Sequence, residues 1–597
     1  MENFKKPQKT ISDHPCPAPQ FEKCLKKRFA IPVKFCDEKV FRMEKKLVGL
    51  RLLTLAIVFA CQAALWAAPS IEVAHVHFLG GDQMIADPSM PIFKKVSAIT
   101  NTPAFRTGVA RGVAKYLAGT LGRQLNPAAA GSGPLLTPLV DDVIGSESIS
   151  TFGGTTNQPL GFVFAIRLDD AHAKAWQETL TRILGTAPEV ATIESFPGQS
   201  WKKAAFKIVR AKEWLVLSRG ADLTPVLTQY LQTIKQQGRP GKALQGLWLS
   251  ADADWTRMGS WVALEDCPFK PAAMEVTIGP KNEYQKSILK LHYPQPIKWK
   301  SQPWRVPAES IRDPLDSFTA MQGVSEFLQP SRELAQLKVN PLNQQAFVWA
   351  MQEVPFRTYG AMLTENSDAT YRDLAKQLPA LFNPKLHSLY RGEFIELTNR
   401  TQIGWQGLPF VVPLISSKKE KAGEYITVSF FPPPKQSAPA PTELLSQVTG
   451  NNLVYYDWEL TGSRLQQWRT MCGILPIGII FVHRRAPSAT APNMPRPGAP
   501  QTKPTPQTKP ATATHTPAQT PAIPTVNSRK IREQWLTNLE QLLGNSITRA
   551  TVTGPNEVTV ERSSYIGFTG LEILMFSHWF YDDSDSSATP RTPQPPM

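Results

Sequence analysis

Cysteine is scarce. The 597 residues hold six, and only Cys267 and Cys472 lie beyond residue 70. At most one disulfide can form in that part of the chain. A disulfide-stapled fold is excluded there, and an apolar core must do the holding. Cys16, Cys24 and Cys36 are spaced too widely for paired zinc ligands. Long apolar runs are also rare. Beyond Ala68, Met471–Val482 reaches twelve apolar residues around Pro476. That is too short to cross a bilayer and reads as a buried strand or helix end. The net charge is +16, but no dense Lys/Arg stripe carries it, so no nucleic-acid partner is expected. Phosphate-binding loops, dinucleotide fingerprints, HExxH, nucleophile elbows and EF-hand loops are all missing from the sequence.

What is present begins with an address. Glu44-Lys45-Lys46 leads into Leu52–Ala68, which carries no charge. Basic-then-apolar order marks a secretory signal. Counted from Leu47, the segment is also long enough for an uncleaved anchor over residues 47–68. Val58-Phe59-Ala60-Cys61 resembles a lipoprotein box, with bulky Phe59 where a small residue is usual, so a cleaved signal, an anchor and a lipoprotein all remain open. Each exports residues 71–597. Residues 1–51 carry a local excess of +7, in line with the positive-inside rule. The remaining +9 suits an anionic envelope surface.

The order of elements then reads as α+β. Phe162–Leu168 is expected as a strand, and Asp169–Leu184 as a helix with Ala173, Trp176, Leu180 and Ile183 on one face. Ala204–Val209 and Trp214–Ser218 form a hairpin, Asp222–Ile234 a second helix and Gly246–Ala251 a strand. That order is a split βαβ, ferredoxin-like unit with helices on one face of an antiparallel sheet. Met274–Ile278 and Ile288–His292 widen the sheet, and residues 315–390 read as mixed and mostly helical. Leu247–Thr256 is echoed by Leu453–Thr461, each an apolar strand ending in Asp-x-acid-x-Thr, which points to duplication of the unit.

The expected plan has seven parts. It runs as a leader, disordered or preceding the true start, over 1–42; a signal or anchor helix over 43–70; a first α+β unit over 71–262; and a sheet extension with a mixed helical region over 263–440. A second unit spans 441–485 with 526–582, split by a Pro/Thr-rich disordered insert, 486–525, and followed by a disordered tail, 583–597.

Few residues suggest chemistry. Ser200/Lys203 and Ser416/Lys419 fit S-x-x-K without its companion motifs. His75 and His77 share a strand face, but no third metal ligand is near in sequence. Asp252/Asp254 and Asp457/Glu459 can do acid–base work or cap the helices that follow, and their recurrence favours capping. Trp299, Trp304, Trp405 and Trp458 can form a stacking platform or core. No catalytic residue, cofactor ligand or metal ligand is assigned.

The strand Phe162–Leu168, the helix Asp170–Leu184, Trp214–Ser218 with Arg219-Gly220, and the helix with Asp222 carry a resemblance. Over Gly145–Asp254 the chain resembles an uncharacterised bacterial family of exported or membrane-anchored proteins with repeated α+β units. The resemblance implies export and a repeated fold, and no site residue. The expected function is a non-enzymatic cell-envelope protein, on the periplasmic or outer side, binding an envelope protein or an anionic envelope polymer. An exported hydrolase using acids such as Asp252 and Asp457 is the alternative, as is a lipid or lipoprotein carrier.

Overall fold

Strands dominate the computed structural model. It describes residues between 72 and 581, except 475–527 and shorter stretches, the longest being 258–270 and 324–336. The leader, the segment 43–70, the insert 486–525, the tail 583–597, Cys267 and Trp299 lie outside the described residues. Among the described residues no helix is long and apolar enough to cross a membrane.

The first ten strands are β1 (Glu72–Phe78), β2 (Ser148–Gly153), β3 (Gly161–Arg167), β4 (Glu189–Ile193), β5 (Phe196–Trp201), β6 (Phe206–Ala211), β7 (Trp214–Arg219), β8 (Leu249–Asp254), β9 (Ala273–Lys281) and β10 (Tyr284–His292). Ten more follow: β11 (Leu315–Met321), β12 (Ala346–Met351), β13 (Thr358–Thr364), β14 (Glu393–Leu397), β15 (Gln402–Gln406), β16 (Leu414–Glu420), β17 (Gly423–Ser429), β18 (Leu453–Leu460), β19 (Asn545–Gly554) and β20 (Glu557–Ser564). The helices are α1 (Gly81–Ala86), α2 (Pro91–Ser97), α3 (Thr102–Gln124), α4 (Gly133–Gly145), α5 (Asp170–Leu184), α6 (Thr224–Gln237), α7 (Ser367–Leu389), α8 (Thr442–Leu445), α9 (Thr461–Ile474), α10 (Ser528–Glu540) and α11 (Gly570–Phe580).

Among the described residues these twenty strands join one antiparallel sheet, and Arg312–Asp313 pairs with Ala438–Pro439 in a separate two-stranded one. From edge to edge the ladders run β4-β5-β6-β7-β3-β2-β1-β8-β9-β10, then β20-β19-β18-β11-β12-β13-β17-β16-β15-β14. Counted outward from the β10–β20 seam, the two halves use their strands in the same order. The echoed segments, β8 and β18, occupy the same place in each half.

Two expectations change. The split βαβ strands β3, β6, β7 and β8 are not four neighbours, because β1 and β2 stand between β3 and β8. The helices also lie on both faces of the sheet, not one. Ile166, Ile208, Leu215 and Leu217 pack under α3, α4 and α5, while Val163, Val209, Val216 and Trp214 pack under α6. The cause is in the sequence: Phe162–Ile166 and Trp214–Leu217 are apolar at consecutive positions, so both alternations of the strand need cover. The second half repeats this. Tyr371, Leu374 and Leu378 of α7 cover Ile403 and Ile426, and Leu444 and Leu445 of α8 join the cluster around Phe318, Phe347 and Tyr456.

Of residues 315–390, expected as mixed and mostly helical, Ser367–Leu389 is the helix α7, but the described strands before it are β11, β12 and β13. Runs such as Phe347-Val-Trp-Ala-Met351 are short and apolar throughout, so periodicity does not distinguish strand from helix there. The helix α5 follows its pattern closely. Asp169 accepts the His172 N–H at its start, Gly185 ends it at φ 68°, and Ala173, Trp176 and Ile183 are buried.

Two-faced burial has a direct consequence. Ile208 and Val209 are neighbours in β6, fully buried on opposite faces. Ile208→Ala and Val209→Ala should each destabilise the fold by about 2 kcal/mol or more, read from urea-unfolding midpoints. A sheet covered on one face would tolerate one of the two.

Candidate functional site

The paired acids have different fates in the two halves. In β8, Asp252 is exposed opposite His75 and Glu275, and Asp254 accepts the Arg257 N–H at 3.0 Å, capping the turn that follows. In β18 the acids do not cap their own helix, which corrects that expectation. Asp457 accepts from the Thr319 hydroxyl at 2.6 Å. Glu459, only 6% exposed, accepts the Gly570 N–H at 2.7 Å, at the start of α11. The reason is packing: the first turn of α9 lies against Gly570, where a Cβ would strike Leu465 N and Thr461 O. Glu459 therefore meets the N-terminus of a helix remote in sequence.

Around these two acids lies a buried polar cluster. Arg562 donates to Glu572 at 2.6 Å and to the Thr548 hydroxyl at 3.0 Å. Glu572 also accepts the Thr569 N–H, completing a capping box on α11. Arg464 bonds Gln467, which donates to the fully buried Asp316. Four carboxylates thus face two guanidiniums. Burial pushes Asp457 and Asp316 above the ordinary carboxylate value. Burial, then the charge of Asp457, pushes Glu459 up to about 7, against the Gly570 N–H.

The other sequence candidates disperse. His77 is buried and bonds Glu147 at 3.0 Å, and Arg239 donates to the same oxygen at 2.6 Å. Among the described residues no group of three or more His, Cys, Asp or Glu is placed to hold a metal. Ser416 pairs with the Thr427 hydroxyl, while Lys419 pairs with Asp368 and Glu424. Ser200 lies on β5 opposite Glu189 and Lys207. Trp304 and Trp458 belong to one apolar cluster, and Trp405 sits near Phe394 on another. No shared aromatic platform forms from these three.

A polar cleft of about 620 Å³ opens where α1, α3 and α4 meet the start of α5 and the β6–β7 turn. Arg106 bonds Asp141 at 2.6 Å and Asp82 at 2.9 Å. Arg210 pairs with Asp170 at 2.7 Å and Arg167 with Glu213 at 2.8 Å. At the centre, His172 Nδ1 lies 2.9 Å from Asp169 Oδ2, and its Nε2 lies 3.9 Å from Asp142 Oδ1. Trp176 donates to the other Asp142 oxygen at 2.8 Å. Burial raises Asp142, whereas the His172 backbone and ring bonds lower Asp169. The Asp169 bond, then the Asp142 charge, raises His172. Ser146 lines the cleft, but among the described residues no hydrogen bond joins it to His172, so a serine–histidine relay is not assembled.

This cleft was not assigned from the sequence. The expected helix Asp169–Leu184 begins at the cleft, and its Asp169 carboxylate does two jobs, capping α5 and orienting His172. The adjacent Asp141-Asp142 pair was the remaining signal, but Asp82 and Arg106 come from elements that only the fold brings near. No family model, curated protein or solved structure matches the chain.

Glu459 gives the cluster a pH signature. Its carboxyl binds a proton more tightly folded than unfolded, where its value is near 4.5. Its contribution to stability is complete below pH 4.5 and is lost as pH rises through 7, on the order of 3 kcal/mol in all. Glu459→Gln keeps an acceptor for Gly570 and removes the charge. Relative to wild type it should gain stability between pH 5 and pH 8, measured by urea unfolding. Parallel pH profiles for the two proteins would contradict this placement of the proton.

Proposed function

We propose that the chain is an exported cell-envelope protein that works by binding, without catalysis. One observation carries this reading. Asp252/Asp254 and Asp457/Glu459 lie on strands five spacings apart, roughly 24 Å, and Asp254, Asp457 and Glu459 are engaged in the framework. No one substrate bond can lie between the two pairs. Residues 71–597 face the periplasmic or outer side, with residues 47–68 as tether if that segment stays uncleaved.

Within this reading the two ten-strand halves are copies of one α+β unit. Each is a set of four split βαβ strands, interrupted by two inserted strands and widened by four more. The matching places of β8 and β18 support this. The polar cleft is the recognition site. Its lining holds six carboxylates and three arginines, which suits a cationic or hydrogen-bonding group of an envelope protein better than an anionic polymer. An open polar cleft does not favour a lipid carrier.

A hydrolase is the second reading. It is favoured by Asp142 raised and Asp169 lowered on either side of His172. Fractionation of tagged full chain and turnover of ester, amide and glycoside substrates separate the two. The binding reading expects the protein in the envelope or exported fraction, and no turnover. A wholly cytoplasmic protein overturns the location. Turnover abolished by His172→Ala overturns the function in favour of hydrolysis.

A further inference from the structure

Among the described residues the sheet is open, with two edges, β4 and β14. They are treated differently. At β14 the Asn383 side chain of α7 accepts the Phe394 N–H at 2.7 Å and donates to the Phe394 carbonyl at 3.1 Å. A carboxamide thus takes the place of the next strand, a device that blocks edge pairing. Among the described residues no hydrogen bond reaches the outer side of β4. The strand reads Glu-Val-Ala-Thr-Ile over 189–193, without proline, lysine or a bulge, and Val190 is 90% exposed.

The register shows which groups point outward. Thr192 lies opposite Pro197, which has no N–H to give. That pair cannot exchange two hydrogen bonds, so Ala191 and Gly198 form the bonded pair. The N–H and C=O of Val190 and Thr192 therefore face away from β5.

We infer that β4 is an interface for a second copy of this chain, paired antiparallel about a two-fold axis at Ala191. The strand is self-complementary in this register. Val190 falls opposite the second copy's Thr192, and Thr192 opposite the second copy's Val190. Four backbone hydrogen bonds form, using all the outward groups of those two residues. Each exposed valine gains a β-branched neighbour on the same face. The small Ala191 side chain sits at the axis, where the two backbones come closest. Glu189 meets Ile193 of the second copy, so the two acids stay at opposite ends, each beside a Lys202 ammonium 2.7 Å away. Only five residues take part, so the contact belongs to the small, weakly associating class of interfaces.

Sedimentation equilibrium of the full chain in mild detergent, over about 1–100 µM, tests the pairing. Wild type should associate to a dimer across that range. Thr192→Pro removes one outward N–H and leaves the β4–β5 ladder intact. Val190→Lys places a charge at the exposed position. Each should raise the dissociation constant at least tenfold, about the effect of 1.4 kcal/mol, while Asn383→Ala at the other edge should not. A wild type that stays monomeric at 100 µM overturns the inference. So does a dimer that survives both β4 variants, which would place the contact elsewhere.

Discussion

The ladder between β10 and β20 makes two ten-strand halves into one sheet. Eight positions pair across it, from Gln285 with Ser564 to His292 with Glu557. Leu289 faces Val560 and Leu291 faces Val558, while Lys286 reaches Glu561 at 3.1 Å. Removing the ladder would expose an edge on each half, with a row of unpaired backbone groups. The segment after β10 adds to it: Tyr293 and Ile297 donate to the Asn556 and Pro555 carbonyls at 2.8 Å. A second clasp lies among the helices. Phe105 of α3 stacks on Trp535 of α10 at 3.8 Å, and Trp535 donates to the Thr102 hydroxyl at 3.0 Å. Gly108 lets α3 approach Tyr581, where any Cβ would collide with the ring.

The charged cluster under α9 and α11 lies within the second half and touches the seam through Arg562, which stands opposite Ser287. Asp457 and Glu459 stand beside β11 and β19, and the cover comes from α9, before β19, and α11, after it. Buried carboxylates are tolerable when hydrogen bonds and cations meet them. Here Thr319, Gly570, Arg464 and Arg562 do so only in part, and the raised Glu459 reflects the shortfall. Of the equivalent acids in β8, Asp252 remains exposed and Asp254 serves as an ordinary cap. The same sequence echo therefore supports two environments, decided by what packs above it.

Local signals in the sequence were strong where one element decides the outcome. The extent of α5 and its apolar face were both legible. The recurrence of Asp-x-acid-x-Thr located β8 and β18, which hold matching places in the strand order. Pairing partners were not legible, because antiparallel strands join residues far apart and periodicity carries no address. Thus the insertion of β1 and β2 beside β3, and the strands of 315–364, appear only in the fold. The cleft was hidden for the same reason, since Asp82, Arg106, Asp142 and His172 lie on four different helices.

Amide hydrogen exchange, followed by mass spectrometry on peptides from β10 and β20, tests the joined sheet most directly. Peptides covering 285–292 and 557–564 should exchange slowly and at one common rate, as interior strands of a single cooperative unit do. Rapid exchange in both, with β1–β3 and β11–β13 still protected, would mean two halves folded apart and would contradict the account.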